Sequence, residues 1–417
     1  MTVRKIGVEE ELLLVDPETR EPAAVSHRVL AGHQTLEDKR AKESRRTDAD
    51  RDQAGDGGPG IGQFGEEEHI ARTPMVEQEI FLQQLETATA PSSSMAEVEL
   101  SLRRCRAVAA EAASTVGAVT VAVGVPVMGE ASAVVTPNDR YQRIIDEFGS
   151  LIRDVVVSGM HVHVDIADDE EGVGVIDRVR PWLPVLLALS ANSPLRMAPT
   201  PDLRPGDPRC GEGGPAPGRL SRMVTQRGYH AVAEAMIASG ASMDKGMLYY
   251  DIRLAESWPT VEFRVADVCT EVDDALLIAA LSRALVETAA GSWRAQEDAP
   301  AWRTDLLRAA QWRAARYGVA GRLMHPKTCD LQPARLVVEG LMTHAADALA
   351  EAEDTELVTD GLERLLARGA GASRQRAVAE AQSSLDGCRR RPRRSNQRSS
   401  ARLKNPPPRR SGANGAS

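Results

Sequence analysis

The strongest constraint on this chain is an acidic stretch near its first residue, Gly7–Val15, which reads GVEEELLLV. Its leucines and valines favour a β-strand. Because side chains alternate between the two faces of a strand, Glu9 and Glu11 share one face and Glu10 lies on the other. Two like charges at this spacing repel each other, so the strand either presents a solvated charged face or holds a cation. This stretch alone leaves both interpretations open.

Composition limits the class of protein. The chain has 417 residues, 42% of them hydrophobic, enough for one large domain or two ordinary ones with a substantial core. A net charge of -9 argues against a general nucleic-acid-binding surface. The five cysteines are scattered without a Cys-x-x-Cys pair, which predicts no disulfides and gives no zinc signature. The most apolar run, 182–191, is too short to span a bilayer. We therefore expect a cytoplasmic protein that binds neither nucleic acid nor membrane.

Hydrophobic periodicity predicts a mixture of helices and strands after the acidic strand. Predicted strands cover 119–125, 154–166, 248–254 and 260–266. Predicted helices cover 95–116, 141–152, most of 173–193, 229–238, 273–290, 302–317, 334–350 and 355–367. The segment 77–90 carries Glu79 and Glu86 among apolar residues and is followed by a serine run that can cap the next helix.

Three segments have no hydrophobic period. Residues from about 34 to 73 are mostly charged or glycine, which predicts a disordered insertion. Residues 195–219 are mostly Pro, Gly and Arg, which predicts an irregular loop. Residues 385–417 are Arg, Pro, Ser and Asn, which predicts a disordered basic tail. We expect residues 1–384 to form one domain, and we interpret the tail as a solvated extension and not as a nucleic-acid-binding arm.

Four pairs of polar side chains lie on segments whose backbone is predicted to be strand-like. They are Glu9 with Glu11, Glu79 with Glu86, His161 with His163, and Glu262 with Arg264. Each pair alone is weak evidence, because a histidine pair in a valine-rich strand is as often structural, and a Glu-x-Arg alternation is usually a polar sheet face. Together, carboxylates and imidazoles suit Mg²⁺ or Mn²⁺, and a permanently charged arginine suits a metal-bound phosphate. The set therefore predicts ATP binding and phosphoryl transfer, without a P-loop or Rossmann loop.

Several motifs then resemble one known family, the glutamate–cysteine ligase type 2 family of bacterial carboxylate–amine ligases, and more broadly glutamine synthetase. The motifs are Gly-x-Glu-x-Glu at 7–11 with Leu-Val-Asp-Pro at 14–17, Gly-Met-His-Val-His-Val at 159–164, Arg-Pro-Trp-Leu-Pro through Ala-Asn-Ser-Pro at 180–194, Pro-Thr-Val-Glu-Phe-Arg-Val-Ala-Asp at 259–267, Ala-Ala-Arg-Tyr-Gly at 314–318 and Gly-Ala-Gly-Ala-Ser-Arg-Gln-Arg at 369–376. The resemblance extends to about residue 381. It implies an α+β fold like that of glutamine synthetase, in which an antiparallel β-sheet funnel is flanked by helices.

The resemblance also implies roles for individual residues. The implied ligands of the divalent ions are Glu9, Glu11, Glu79, Glu86, His161 and Glu262. His163 and Arg264 would contact the ATP phosphates, and Glu262 and Arg264 would act in catalysis. The implied reaction joins L-glutamate to L-cysteine, with ATP and Mg²⁺ or Mn²⁺, through a γ-glutamyl phosphate. The true amine substrate stays open, and so does a homodimer.

Two segments depart from the family pattern, the loop at 195–219 and the chain after residue 381. We hypothesise that both are out-of-frame translation of a GC-rich gene, which the nucleotide sequence can test. Damage to the substrate loop would leave weak ligase activity, or a ligase-like scaffold that binds without turnover. A metal-dependent phosphohydrolase is a third alternative, because carboxylate and histidine clusters also serve two-metal phosphate chemistry.

Overall fold

The computed structural model describes residues 2–36, 76–126, 133–149, 156–193 and 225–390, with side chains up to residue 381. The chain divides into two units, Met1–Arg376 and Ala377–Ser417. The first unit holds all the described strands, and the described residues of the second continue one helix. The predicted loop at 195–219 lies outside the described residues, as do most of the predicted insertion and tail.

The described secondary structure comprises nine strands and twelve helices, besides short 3₁₀ turns. The strands are β1 Ile6–Val15, β2 Glu77–Gln78, β3 Gln84–Ala88, β4 Val119–Val121, β5 Gly159–Asp165, β6 Ile252–Leu254, β7 Thr260–Asp267, β8 Arg322–Met324 and β9 Leu331–Pro333. The helices are α1 at 26–36, α2 Met95–Ser114, α3 Asp139–Phe148, α4 Asp169–Val179, α5 Leu183–Ser190, α6 Gln226–Ala238, α7 Val272–Arg294, α8 Thr304–Tyr317, α9 Ala334–His344, α10 Ala346–Glu351, α11 Thr355–Arg368 and α12 Gly371–Arg390.

One sheet of seven strands organises the first unit. Its order is β2-β3-β1-β5-β7-β6, and β4 pairs with the last residues of β1. Every pairing in this sheet is antiparallel. Strands β8 and β9 form a separate two-stranded sheet. The predicted α+β class, with an antiparallel sheet flanked by helices, is confirmed.

The two faces of the central strands differ in chemistry. Alternate residues of β1, β5 and β7, among them Val8, Val162 and Phe263, are buried in the main core with helices α4, α5 and α7. The residues between them on each strand are the polar ones, because the side-chain period of a strand is two. The sheet therefore packs its apolar face on helices and presents its polar face to the candidate site.

Several predicted boundaries differ from the observed ones. The helix predicted at 334–350 is two helices separated at Ala345, and neither the β8–β9 pair nor α12 was predicted. Helix α1 includes residues 34–36, where the insertion was expected to begin, and α12 continues through Arg390, past the expected start of the tail at residue 385. Neither extension was expected, because Gln34-Thr35-Leu36 and the Asp-Gly-Cys sequence at 386–388 give little local helix signal.

Helix α7 is long and apolar enough, by length and composition alone, to cross a membrane. However, 78% of its most apolar window is buried inside the fold. It packs against α4, α5, α10 and α11 and contacts the apolar face of the sheet. This is the environment of a core helix, and it explains why its residues are apolar on nearly every side.

Candidate active site

Strand β1 carries two adjacent carboxylates of the site on its polar face. Its burial alternates, so that Glu9 and Glu11 line the site while Glu10 is fully buried on the opposite face. The main-chain N–H of Gly159 donates to Glu11 Oε2 at 2.8 Å. The predicted separation of Glu9 and Glu11 from Glu10 is confirmed.

Strand β5 places both histidines beside β1. In the antiparallel register His161 lies opposite Glu9, and His163 lies opposite Gly7. The Nδ1 atom of His161 is 3.1 Å from Glu9 Oε2, and its Nε2 is 3.7 Å from Glu11 Oε1. His163 Nδ1 is 2.9 Å from the hydroxyl of Thr260, which fixes the orientation of the ring. His163 Nε2 is buried without a hydrogen-bond partner, although Glu9 Oε1 lies 3.3 Å away.

Strand β7 supplies Glu262 and Arg264 from the other side of β5. His163 lies opposite Glu262, but the register shifts between Met160 and Val162 because β7 contributes one extra residue there. This β-bulge lies beside Arg264, and bulges commonly re-aim a side chain next to an active site. Arg264 Nη1 donates to Glu262 Oε1 and lies 3.5 Å from His161 Nδ1.

The remaining carboxylates come from β3 and from the segment before it. Glu86 lies directly opposite Glu11 in the β1–β3 register. Glu79 lies between β2 and β3, and its Oε2 accepts the main-chain N–H of Ile80. Glu11, Glu79 and Glu86 bring one carboxylate oxygen each within 4.8 Å of one another.

The donor atoms fit divalent ions that prefer oxygen ligands. Two further groups meet the same 4.8 Å limit, Glu9 with His163 and Glu262, and Glu9 with Glu86 and His161. The three groups overlap through Glu9 and Glu86, so they form one continuous cluster of carboxylates with two imidazoles. Such a cluster suits Mg²⁺ or Mn²⁺, and the orphaned His163 Nε2 is a polar atom that a bound ligand would satisfy.

Crowding of the carboxylates shifts the pKa of several of them upward. Burial, followed by the charge of Glu79, raises the pKa of Glu11 to about 8. Burial also raises the pKa of Glu79, and burial with the neighbouring carboxylates raises that of Glu86 well above its usual range. A cation among these three groups would remove the cost of their charge.

The carboxylates beside the cationic side chains behave in the opposite way. Burial raises the pKa of Glu9, but His161 and His163 outweigh it and hold that pKa below its usual range. Burial also raises the pKa of Glu262, but Arg264, His161 and Arg253 outweigh it. They lower that pKa to about 2. Burial, and then the charge of Arg264, lowers the pKa of His161. These surroundings therefore favour the ionised form of Glu9 and Glu262 and the neutral form of His161.

All eight side chains of the predicted site come together, but one important neighbour was not predicted. Arg253 on the edge strand β6 lies opposite Glu262 and donates to both its oxygens, at 2.5 and 3.2 Å. It also donates to the carbonyl of Gly246 at 3.0 Å. A signal was present, because strand alternation places Arg253 opposite to the buried Ile252 and Leu254.

The arrangement of carboxylates, imidazoles and arginine on an antiparallel sheet is the architecture expected of a glutamine-synthetase-like ligase, and comparisons with known proteins support that class. The family model described as "Glutamate-cysteine ligase family 2" matches residues 5–395. A protein of Streptomyces coelicolor, provisionally named glutamate–cysteine ligase 2, is 40% identical over 387 residues, covering 92% of this chain and 96% of that protein. A provisionally named glutamate–cysteine ligase 2-1 of a Nocardioides species is 42% identical over 385 residues, covering 92% and 94%.

Solved structures share the fold at low identity. The glutamate–cysteine ligase of Francisella tularensis, crystallised with AMP, has a TM-score of 0.59 at 13% identity, covering 91% of this chain and 85% of that one. A bifunctional glutathione synthetase from Pasteurella multocida has a TM-score of 0.58 at 14% identity, covering 91% and 50%. These likenesses confirm the expected fold.

The chain belongs to the glutamate–cysteine ligase family 2. The resemblance that the motifs indicated is confirmed, and the chain is a ligase of the carboxylate–amine class.

Proposed function

We propose that this protein is an ATP-dependent glutamate–cysteine ligase that works through a γ-glutamyl phosphate and requires Mg²⁺ or Mn²⁺. In the overall reaction, ATP, L-glutamate and L-cysteine give γ-glutamylcysteine, ADP and phosphate. The observation that supports this proposal best is the convergence of five carboxylates and two imidazoles on Arg264, at the polar face of one sheet. Bound divalent ions would neutralise the charge that develops between the β- and γ-phosphates.

The proposed metal ligands are Glu9, Glu11, Glu79, Glu86, His161 and Glu262. Glu9 and Glu86 belong to two donor groups each, so each could supply a ligand atom in either of its groups. Neutral imidazole is the form of His161 that can donate an electron pair to a metal, and its lowered pKa favours that form.

Arg264 and His163 are the proposed contacts to phosphate. Arg264 is a fixed cation, because a guanidinium keeps its charge at all relevant pH values, and Glu262 holds it in position. His163 is oriented by Thr260 with its free Nε2 inside the site. Together they would hold the γ-phosphoryl group for attack by the glutamate side-chain carboxylate, and exclusion of water would protect the acyl phosphate until the amine arrives.

A phosphate-release assay tests the proposal and distinguishes it from the alternatives. Purified protein with ATP, Mg²⁺, glutamate and cysteine should release phosphate and yield a product with the mass of γ-glutamylcysteine. Release that needs no amine would indicate a phosphohydrolase instead. No release with any of a panel of amines would indicate a scaffold without turnover. The departure at 195–219 predicts that the ligase rate is weak.

Site variants provide a second test. Glu11→Gln should abolish turnover, because it removes a proposed metal ligand. It should leave the fold intact, because the surroundings of Glu11 already disfavour the charged form of its carboxylate. Arg264→Ala should also abolish turnover, while Arg253 keeps the charge of Glu262 compensated. Glu99→Gln, which alters only a solvent-exposed ion pair with Arg103, is the control and should retain activity. Normal activity in either site variant would refute the assignment.

A further inference from the structure

The carboxylate between the two proposed metal ligands of β1 has no part in the proposed chemistry. Glu10 faces away from the site and is 0% exposed. The same face of β1 carries Leu12 and Leu14, which pack in an apolar cluster with residues of helix α2. A carboxylate in such surroundings is costly unless it is paired and hydrogen-bonded. Its presence there calls for a specific partner.

That partner is Arg106 on helix α2. Its Nε donates to Glu10 Oε2 at 2.8 Å, and its Nη2 donates to Oε1 at 2.6 Å. The planar guanidinium therefore matches the carboxylate with two parallel bonds, the geometry that fixes orientation most tightly. The Glu10 carboxylate cannot rotate, and β1 cannot slide along its own axis, without breaking both bonds.

The same guanidinium also reaches the chain beyond β7. It donates to the main-chain oxygen of Cys269 at 2.7 Å and to that of Thr270 at 2.9 Å. These residues follow β7, which does not pair with β1, because β5 lies between them. Arg106 thus connects β1 to the segment that follows β7, although β1 and β7 are not paired with each other.

Those two strands carry opposite walls of the site. Strand β1 bears Glu9 and Glu11, and β7 bears Glu262 and Arg264. The bulge shifts the register of β7 with β5 beside Arg264, and the contacts of Arg106 with the segment after β7 add a second constraint on that end of the strand. A one-residue slip of β1 would turn Glu9 and Glu11 to the core and Glu10 to the site.

We propose that the Glu10–Arg106 pair is a positioning pair for the divalent metal site. It holds the carboxylates of β1 at a fixed distance from Glu262 and Arg264 by contacts on the reverse face of the sheet. This inference rests on the proposed function, because it concerns the ligands named there.

The test measures metal binding directly, by titrating the full chain with Mn²⁺ and following free Mn²⁺ by electron paramagnetic resonance. Glu10→Gln keeps the shape of the side chain but loses the negative charge that pairs with Arg106. Arg106→Lys keeps the charge but loses the paired bonds. Each variant should raise the half-saturating Mn²⁺ concentration by about 10-fold or more, the usual effect of losing a group that orients metal ligands.

A matched control separates positioning from general stability. Arg283 and Asp354 form another buried pair, with Nη2 donating to Oδ2 at 2.5 Å and side chains only 3% and 5% exposed. Asp354→Asn should lower the melting temperature without changing the half-saturating Mn²⁺ concentration. Unchanged Mn²⁺ binding in folded Glu10→Gln and Arg106→Lys would overturn the inference. Failure of both variants to fold would also count against it, since the pair would then serve only the core. Absence of Mn²⁺ binding by the unaltered protein would instead refute the proposed function.

Discussion

Two arginines bind the carboxylate of Glu262, and they differ in their other contacts. Its carboxylate accepts bonds from Arg253 on one side and from Arg264 on the other. Arg253 also binds main-chain oxygens of the turn before β6, whereas Arg264 lies beside His161. One arginine therefore anchors the carboxylate to the scaffold, while the other is directed to the proposed phosphate position.

Loss of Arg253 should lower the free energy of unfolding and not only the rate of turnover. Arg253→Ala leaves a nearly buried carboxylate with one partner fewer, and breaking a buried pair costs about 3 kcal/mol. Arg253→Lys should cost less, because it retains the charge. The measurement is urea unfolding, with Arg303→Ala as the control, since that arginine forms an exposed pair. Equal unfolding midpoints for all variants would contradict the anchoring role.

His344 should make stability depend on pH in a predictable direction. Burial lowers its pKa to about 4 from an ordinary 6.5, and its ring stacks on Trp182. The unfolded chain therefore binds more protons between pH 6.5 and 4. The stabilising contribution is complete above pH 6.5 and is lost progressively as the pH falls to 4.

His344→Phe keeps the stacking on Trp182 and removes the titrating group. The difference in unfolding free energy between the two proteins, measured by urea unfolding from pH 7.5 to 4, should shift in favour of the variant as the pH falls. A difference that stays constant over this range would contradict the burial of a neutral ring.

At the scale of elements, helix packing depends on small residues at close approaches. A Cβ atom added to Gly174 of α4 would lie within 2.7 Å of three ring atoms of Trp293 on α7. In contrast, a Cβ atom added to Gly291 of α7 would meet nothing within 4 Å. The two glycines lie in helices of the same core, so their substitutions separate helix propensity from packing.

Replacing these glycines by alanine should have effects of opposite sign. Gly291→Ala should stabilise by up to about 1 kcal/mol through helix propensity. Gly174→Ala should destabilise by about 1–2 kcal/mol, because overpacking a rigid ring outweighs that gain. In a Trp293→Leu background the cost of Gly174→Ala should disappear. Thermal unfolding of the four variants measures this, and stabilisation by Gly174→Ala alone would refute the observed α4–α7 packing.

At the scale of the whole molecule, bound metal should act as a stabiliser. Burial, and then repulsion from neighbouring carboxylates, raises the pKa of Glu11 and of Glu86, and a divalent ion would offset both. An ion that binds only the folded chain at 100 times its dissociation constant contributes about 2.7 kcal/mol. Mn²⁺ or Mg²⁺ should therefore raise the melting temperature, and EDTA should reverse the rise. A rise of the same size in Glu11→Gln would show that the ion binds elsewhere.

Local sequence patterns predicted which side chains the candidate site contains better than they predicted how strand pairing brings those side chains together. The period of two separated Glu9 and Glu11 from Glu10, and the family resemblance selected the other ligands. Neither could show that His161 lies opposite Glu9, since strand pairing across 152 residues depends on the packing of the whole sheet. The β7 bulge was also invisible, because one extra residue leaves the local alternation unchanged up to Arg264.

The helices show the same limit. Apolar periodicity located α7 and α11, but it did not predict the break at Ala345 or the β8–β9 pair, whose strands have three residues each. Such short strands carry too little pattern to recognise. The loop at 195–219 lies outside the described residues, so the hypothesis that it is translated out of frame remains a prediction.

The alternation of core and site residues along β1, β5 and β7 has a consequence for how this protein can fold and change. A pairing of these strands that is shifted by one residue would put ionisable groups into the hydrophobic interior and valines into water, so such a register is penalised at many positions at once. Selection for a stable protein and selection for a charged pocket act on the same three strands, which leaves specificity to vary in the connecting segments.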